Sequence, residues 1–266
     1  MRIWAVSNQK GGVGKTTTVA SLAGGLVTRG ESTLVVDLDP HGSLTSYFGL
    51  VSESVTQGSY DLFRDAMERR HRDVSRCIQT TTVEGLDIMP AAMALATVER
   101  QAGNFEGLGL VLRHALSHLS DQYDSVLIDS PPMLGVLMVN ALAACDRLII
   151  PVMADFLSVR GLERMLRTLE MIRHSLGQSY RHLIVPTMFD RRPRVTNDTL
   201  KVLEERFGDS LWKGVIPMDT KVREASQAHL PLSLYRPRGR AAVAYESLLD
   251  TLLESETVQP GEVLSA

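Results

Sequence analysis

The segment Lys10-Gly11-Gly12-Val13-Gly14-Lys15-Thr16-Thr17 follows the short apolar run Arg2-Ile3-Trp4-Ala5-Val6 and opens a stretch with helical apolar spacing, Val19, Leu22, Ala23 and Leu26. In that setting glycines let the backbone turn so that successive N–H groups face one centre, and the helix N-terminus adds the positive end of its dipole. The chemistry is the cradling of phosphates. Lys15 supplies a mobile cation for β- and γ-phosphates, and Thr16 supplies a hydroxyl for Mg²⁺. At average residue frequencies the pattern arises by chance in roughly one in 10⁴ to 10⁵ chains of this length, so it outweighs a Gly-rich surface turn.

Three carboxylates fall where this chemistry needs them. Asp37 and Asp39 close the apolar run Leu34-Val35-Val36, and Asp129 closes Val126-Leu127-Ile128 ahead of Ser130-Pro131-Pro132. Open parallel sheets bind ligands at the carboxyl ends of their strands, so all three acids belong to one functional edge. An Asp before Pro is also ordinary turn chemistry, and an Asp after an apolar run is often a cap. The phosphate loop gives the set its meaning.

The elements that position these residues alternate along the chain. Buried-strand runs are expected at Arg2 to Val6, Ser32 to Val36, Leu86 to Met89, Ser125 to Ile128, Arg147 to Ile150 and His182 to Val185, with Gly214-Val215-Ile216 a shorter candidate. Helical patterns cover Thr16 to Arg29, Leu108 to Leu119, Leu134 to Ala144, Val159 to Leu176, Thr196 to Phe207 and Ala241 to Leu253. The fold class is α/β, a single doubly wound domain with a mostly parallel sheet flanked by helices. The domain is expected over residues 1–258, with 259–266 a frayed tail. Residues 52–85, including Tyr60 to Arg72 and Thr80-Thr81-Thr82, are the least patterned and read as a peripheral excursion.

Composition narrows the class. The 266 residues are 44% hydrophobic and 22% charged, ordinary for a globular chain and far from disordered or collagen-like sequences. No run of 18 apolar residues and no signal-peptide pattern occurs, so a soluble cytoplasmic protein is expected. Cys77 and Cys145 lack metal or disulfide spacing and are expected to be buried thiols. The net charge of −3 excludes a surface basic all over, yet residues 181–240 carry 12 Lys/Arg against 7 Asp/Glu.

The loop departs from the generic G-x-x-x-x-G-K-[ST] pattern, with Gln9 at the first glycine position and an additional lysine, Lys10. This form resembles the deviant Walker A loop of the ParA/MinD (Soj-like) family of P-loop ATPases. Charge placed around a transferring phosphoryl group is the main source of its catalysis, which gives a second cation an independent rationale. The resemblance continues through Asn140-Ala141-Leu142, Ile150-Pro151-Val152, Asp155-Phe156 with Gly161, Ile216-Pro217, Glu224-Ala225, Leu230-Pro231 and Tyr235-Arg236-Pro237-Arg238-Gly239-Arg240. Within the family the run Asp39 to Gly49 looks closest to ParC-type members associated with chemotaxis clusters.

The resemblance implies an ATPase that uses ATP and Mg²⁺ and dimerises with ATP. Lys10, Gly11, Gly12, Val13, Gly14, Lys15, Thr16, Thr17 and Pro217 would bind ATP, and Thr16, Asp37 and Asp129 would surround the metal. Lys10, Lys15 and Asp39 would carry catalysis, Lys10 by reaching the partner's phosphates and Asp39 by orienting water; the family usually has Gln where His41 stands. Adenine contacts are expected from the loop Pro186 to Asp190 and from Pro217. Hydrolysis is expected to be slow and stimulated by an adaptor protein, and the cycle to position a cargo such as polar chemotaxis arrays. The chain begins on its first strand, so the helix-turn-helix domain of larger plasmid relatives is not expected.

Nonspecific DNA binding requires basic residues on one face, without base readout. Candidates are Arg191, Arg192, Arg194, Lys201, Lys221, Arg223, Arg236, Arg238 and Arg240; Met218 stands where relatives often carry arginine. After Arg240 the chain has five acidic residues and no Lys or Arg, unlike a membrane-targeting helix. The competing readings are a plasmid or chromosome partition ATPase with a centromere-binding partner, a metabolic enzyme of the dethiobiotin synthetase type and an adaptor with negligible turnover. An electron-transfer ATPase like nitrogenase reductase would need cluster cysteines at positions that Cys77 and Cys145 do not match.

Overall fold

Aliphatic runs bounded by turn residues become strands buried on both faces. In the computed structural model, which describes residues 1–70, 73–105, 107–177, 181–190 and 192–257, they assemble into one seven-stranded sheet. The strands are β1 (Arg2–Val6), β2 (Thr33–Asp37), β3 (Gln79–Thr80), β4 (Leu86–Met89), β5 (Ser125–Asp129), β6 (Arg147–Met153) and β7 (Arg181–Thr187). Their order is β3-β4-β2-β5-β1-β6-β7, parallel throughout except for β3, which runs antiparallel to β4 at the edge.

Parallel neighbours require crossovers, and helices supply them. The helices are α1 (Lys15–Thr28), α2 (Ser43–Tyr47), α3 (Ser59–Met67), α4 (Leu95–Gln101), α5 (Val111–Ser117), α6 (Val136–Ala144) and α7 (Phe156–Leu176) between strands, and α8 (Arg194–Phe207), α9 (Lys221–Gln227), α10 (Leu232–Tyr235) and α11 (Arg240–Thr257) after the last one. Side chains alternate across each strand, so Ala5, Leu34 and Val36 join one core with Leu62, Leu95, Leu112, Leu137, Val159 and Leu203. Trp4, Val6 and Val35 join the opposite core with Leu22, Leu44, Ala225, Leu232 and Leu248. Each fully buried aliphatic side chain contributes about 1.5–3 kcal/mol, so both layers are held by the same strands that carry the site.

Register sets the functional edge. Val6 pairs with Asp129 on one side and Ile149 on the other, and Asp37 pairs with Asp129. The last residues of β1, β2 and β5 therefore lie in one row, and the chain leaves each of them on the same side. Among the described residues no helix is long and apolar enough to cross a membrane. Cys77 and Cys145 are both buried, and neither is in a disulfide.

Three sequence expectations change. Gly214-Val215-Ile216 forms no strand; nearby residues make only the isolated bridges Ile184↔Leu211 and Phe189↔Pro217, too short for a ladder. The threonine run contributes to β3, and α3 buries Leu62 and Phe63, so residues 52–85 extend the sheet and fill the core as well as covering its edge. The Leu108 to Leu119 pattern is a 3₁₀ turn, Leu108–Leu110, followed by α5. The expected tail, 259–266, lies outside the described residues.

Candidate nucleotide site

The loop after β1 turns through left-handed backbone at Gly12 (φ 73°) and Gly14 (φ 91°), conformations that a side chain would strain. Gly14 is the N-cap of α1 and offers no side-chain cap, so the first-turn amides keep their donors for a ligand. The loop is braced from its flanks. Thr187 Oγ1 on β7 donates to the Val13 carbonyl at 2.8 Å, and Asn8 Nδ2 donates to the Pro151 carbonyl at 2.7 Å.

Lys15, first residue of α1, is buried. Burial pushes its ammonium pKa down, and the charges of Asp129 and then Asp39 pull it back only in part. A buried cation with two carboxylates nearby is poised to accept further negative charge. Thr16 Oγ1 donates to Asp129 Oδ2 at 2.6 Å.

Asp129 is fully buried, and its Oδ1 has no hydrogen-bond partner. Burial raises its pKa well above the ordinary carboxylate value, and the neighbouring Asp37 raises it further. An orphaned buried carboxylate oxygen beside a threonine hydroxyl is a donor set that suits a hard divalent cation. Among the described residues no cluster of three or more His, Cys, Asp or Glu forms a cage. Mg²⁺ shared with phosphates needs only one or two protein oxygens, so the arrangement fits that ion.

Asp37 stands beside Asp129 but is engaged by its own chain. Its Oδ1 accepts the Asp39 N–H at 3.0 Å, and its Oδ2 accepts the Thr45 N–H and hydroxyl, both at 2.8 Å. Burial raises its pKa to about 6 against these bonds. It thus fixes the loop that carries Asp39. Asp39 is 13% exposed, and its Oδ1 accepts the His41 N–H at 3.0 Å and lies 2.8 Å from His41 Nδ1. The sequence departure at His41 therefore touches the acid assigned to water.

Lys10 turns away from the loop. Its Nζ donates to Asp155 Oδ2 and Ser158 Oγ, each at 2.8 Å, at the N-terminus of α7. Burial works to raise the Asp155 carboxyl, but the hydrogen bonds from Lys10 and Ser158 outweigh it and hold it low. Asp155 also caps α7 by accepting the Ser158 N–H. No local pattern announced this contact, because it joins residues 145 apart.

The expected base-binding segments meet. Phe189 bridges Pro217, with the Phe189 N–H donating to the Ile216 carbonyl at 2.9 Å and the Met218 N–H to the Phe189 carbonyl at 3.1 Å. Beside them opens a groove of ≈1060 Å³ whose lining includes Phe189, Pro217, Trp212, Arg192 and Arg240. The basic candidates are not equivalent. Arg192 is paired with Asp190 at 2.7 Å and Lys221 with Glu224 at 2.7 Å, whereas Arg223, Arg236 and Arg238 are exposed. Lys201 and Arg240 are also exposed. Arg191 and the Arg194 side chain lie outside the described residues.

Residues 1–181 match the AAA domain family. The chain is 36% identical to the sporulation initiation inhibitor protein Soj of Bacillus subtilis, over 93% of this chain and 96% of that one. It is 34% identical to the chromosome partitioning protein ParA of Caulobacter vibrioides, over 96% and 95%. Among solved structures it resembles cobyrinic acid a,c-diamide synthase from Mycobacterium smegmatis, crystallised with an ATP analogue and magnesium, at 30% identity and a TM-score of 0.83, covering 97% of this chain and 96% of that one.

Proposed function

The chain belongs to the ParA/MinD family of deviant Walker A ATPases, and from that premise we propose that it is an ATP-driven dimerising switch that positions a macromolecular cargo. Its substrate is ATP, taken up with Mg²⁺. The loop amides and Lys15 receive the triphosphate, and Thr16 and Asp129 would hold the metal, whose charge would offset that of the phosphates. Asp39 orients a water whose oxygen attacks the γ-phosphorus while the bond to the β,γ-bridging oxygen breaks; ADP and phosphate leave, and the proton passes to solvent.

The observation that carries the switch reading is the position of Lys10. Its pair with Asp155 is 43% and 38% exposed, so releasing it costs no more than about 0.2–1 kcal/mol. Asp155 still caps α7 once the lysine has gone, because the Ser158 N–H remains. A lysine held cheaply at the rim is free to swing to a second copy's phosphates, joining ATP binding to dimerisation.

The dimer binds DNA without sequence preference through Arg223, Arg236 and Arg238, with Arg192, Lys221 and Arg240 recruited from their intramolecular contacts. An adaptor protein stimulates the slow hydrolysis. The likeness of Asp39 to Gly49 to ParC-type sequences supports polar placement of chemotaxis arrays. The acidic α11, without Lys or Arg after Arg240, offers no attraction to an anionic membrane. A second reading, chromosome or plasmid partition with a centromere-binding partner, is favoured by the names of the B. subtilis and C. vibrioides relatives. Deleting the gene separates the two: scattered receptor arrays with normal chromosome inheritance support the first, missegregation the second. The biosynthetic name of the M. smegmatis structure raises a metabolic reading, which ATP turnover dependent on a small carboxylic acid would favour.

The testing experiment measures duplex DNA binding by Asp39→Ala protein with ATP, with ADP and without nucleotide, at two salt concentrations. Salt-sensitive, sequence-indifferent binding with ATP alone is expected. Equal binding in all three states refutes the switch.

A further inference from the structure

Asp129 is followed by six residues, Ser130 to Gly135, before α6 begins. This connection leaves the functional edge, and its two ends are tied down differently. At the first, Ser130 Oγ donates to the Val6 carbonyl at 3.0 Å, fastening the chain to the strand that leads into the phosphate loop. At the second, α6 has no cap of its own, because its N-cap is Gly135. Glu99 on α4 caps it instead: Oε2 accepts the Val136 N–H at 2.9 Å, and Oε1 accepts the Leu137 N–H at 3.1 Å.

A carboxylate on two first-turn amides satisfies orphan donors and meets the positive end of the helix dipole. Gly135 bears the mark of this contact. A Cβ built there would lie 1.9 Å from Glu99 Oε2, and the three nearest atoms all belong to the Glu99 carboxyl group. Farther along α6, Asn140 accepts the Leu112 N–H at 3.0 Å and donates to the Leu108 carbonyl at 2.7 Å, so the helix body is held independently. Glu99 thus governs the start of α6 rather than its attachment. Between the two tethers Met133 and Leu134, in the connection that follows Asp129, are 68% and 44% exposed, an apolar pair at the surface of the single chain.

We infer that Glu99 is a positioning residue of the ATP switch: by capping α6 it fixes the 130–135 connection in the shape in which Met133 and Leu134 meet the second copy of this chain. The inference rests on the dimerising-ATPase reading and adds to it a residue outside every nucleotide-contacting segment. Glu99 acts on dimer formation, with little effect on nucleotide capture by one chain. The loop amides, Lys15 and Thr16 lie between the end of β1 and the first turn of α1, whereas the Glu99 carboxylate is bonded to α6.

The test uses the full-length Asp39→Ala protein as parent, to trap the ATP state. Sedimentation velocity reads the dimer constant, a fluorescent ATP analogue reads binding by dilute monomer, and hydrogen exchange follows residues 130–137. Glu99→Ala is expected to weaken ATP-driven dimerisation at least tenfold, to leave analogue binding within twofold and to speed exchange at Val136 and Leu137. Glu99→Gln, which keeps one acceptor oxygen, falls between, and it carries the test if Glu99→Ala does not fold. Gly135→Asp alone weakens the dimer, because its Cβ displaces the Glu99 carboxylate. Joined to Glu99→Ala it places a new carboxylate at the N-cap and restores dimerisation to within about threefold. Parent-like dimerisation by Glu99→Ala overturns the inference, as does a double variant no better than the worse single one, which would mark Glu99 as a plain tie between α4 and α6. A parent that does not dimerise with ATP defeats the switch reading itself, and the inference with it.

Discussion

Replacing Asp129 by Asn should stabilise the nucleotide-free protein while abolishing its response to Mg-ATP. The fold holds Asp129 and Asp37 side by side and fully buried, both with pKa values raised chiefly by burial. A carboxyl whose folded pKa exceeds its unfolded value gives stability that is complete below the unfolded value and lost as pH rises through the folded one. For Asp37 the interval from 3.8 to about 6, at 1.36 kcal/mol per pH unit, comes to about 3 kcal/mol lost between about pH 4 and pH 6. Asp129 shifts in the same direction, from the same cause, and adds to the loss as pH rises.

Asn at 129 keeps an acceptor for the Thr16 hydroxyl and removes the buried charge, though Lys15 then retains only Asp39 as a nearby counter-charge. The net gain at pH 7.5 is on the order of 2 kcal/mol, or roughly 4–8 °C in Tm. The assay is urea unfolding of wild type and Asp129→Asn in EDTA from pH 4.5 to 7.5. The difference between the two curves cancels the titrating groups remote from the pair and leaves Asp129 with its coupling to Asp37. That difference should grow with pH in favour of the variant. At 100-fold the dissociation constant, Mg-ATP should then stabilise wild type by about 2.7 kcal/mol and leave the variant unmoved. A variant less stable than wild type by about 1 kcal/mol at pH 7.5, or a difference flat with pH, refutes the reasoning.

Lys15→Ala should weaken binding of a fluorescent ATP analogue by roughly 10- to 150-fold, as loss of a charge-assisted contact of about 1.5–3 kcal/mol implies; unchanged affinity would remove the loop from the site. Asp39→Ala should bind ATP, accumulate as dimer and lose about 10²-fold or more in phosphate release, whereas hydrolysis equal to wild type overturns the assignment. Asp155→Asn should change stability by less than about 1 kcal/mol and, by freeing Lys10, lower the concentration needed for ATP-driven dimerisation in sedimentation runs; a weaker dimer contradicts the swinging lysine. Combined Arg223→Ala, Arg236→Ala and Arg238→Ala should flatten the plot of log affinity for duplex DNA against log salt by about 2.7, and an unchanged slope places the DNA face elsewhere.

The phosphate loop, the strands before it and the row of acids were legible because short-range rules govern them. Glycine freedom, aliphatic runs and the carboxyl-edge rule together locate Lys15, Thr16, Asp37 and Asp129, and strand register aligns the last two. What was not legible depends on residues far apart in sequence. Glu99 and Gly135 carry no common pattern, and α4 buries only Leu95 and Val98, too few for a readable stripe. Asp155 stood in the sequence as part of a resemblance, but its hold on Lys10 exists only once β6 lies beside β1. Gly214-Val215-Ile216 misled because the segment meets β7 and the loop after it only through isolated bridges at Leu211 and Pro217 on either side of the run, which do not extend into a ladder.

The same register that builds the site also makes it uneasy when empty. Parallel pairing forces Asp37 and Asp129 into adjacent positions, and burial removes the water that would screen them. Evolution toward stability alone would replace one of them, since a buried charge without its partner costs several kcal/mol. Retaining both gives the apo site an excess of acid around one half-compensated lysine. A triphosphate arriving alone is repelled by that excess, whereas one arriving with a divalent cation offers Asp129 Oδ1 the partner it lacks and Lys15 the anion it lacks. On the proposed ATPase reading, selectivity for the metal complex over free nucleotide would follow from destabilisation built into the sheet. The contact of Lys10 with the start of α7 and that of Glu99 with the start of α6 are the places where we infer that relief of that strain is passed to a second chain.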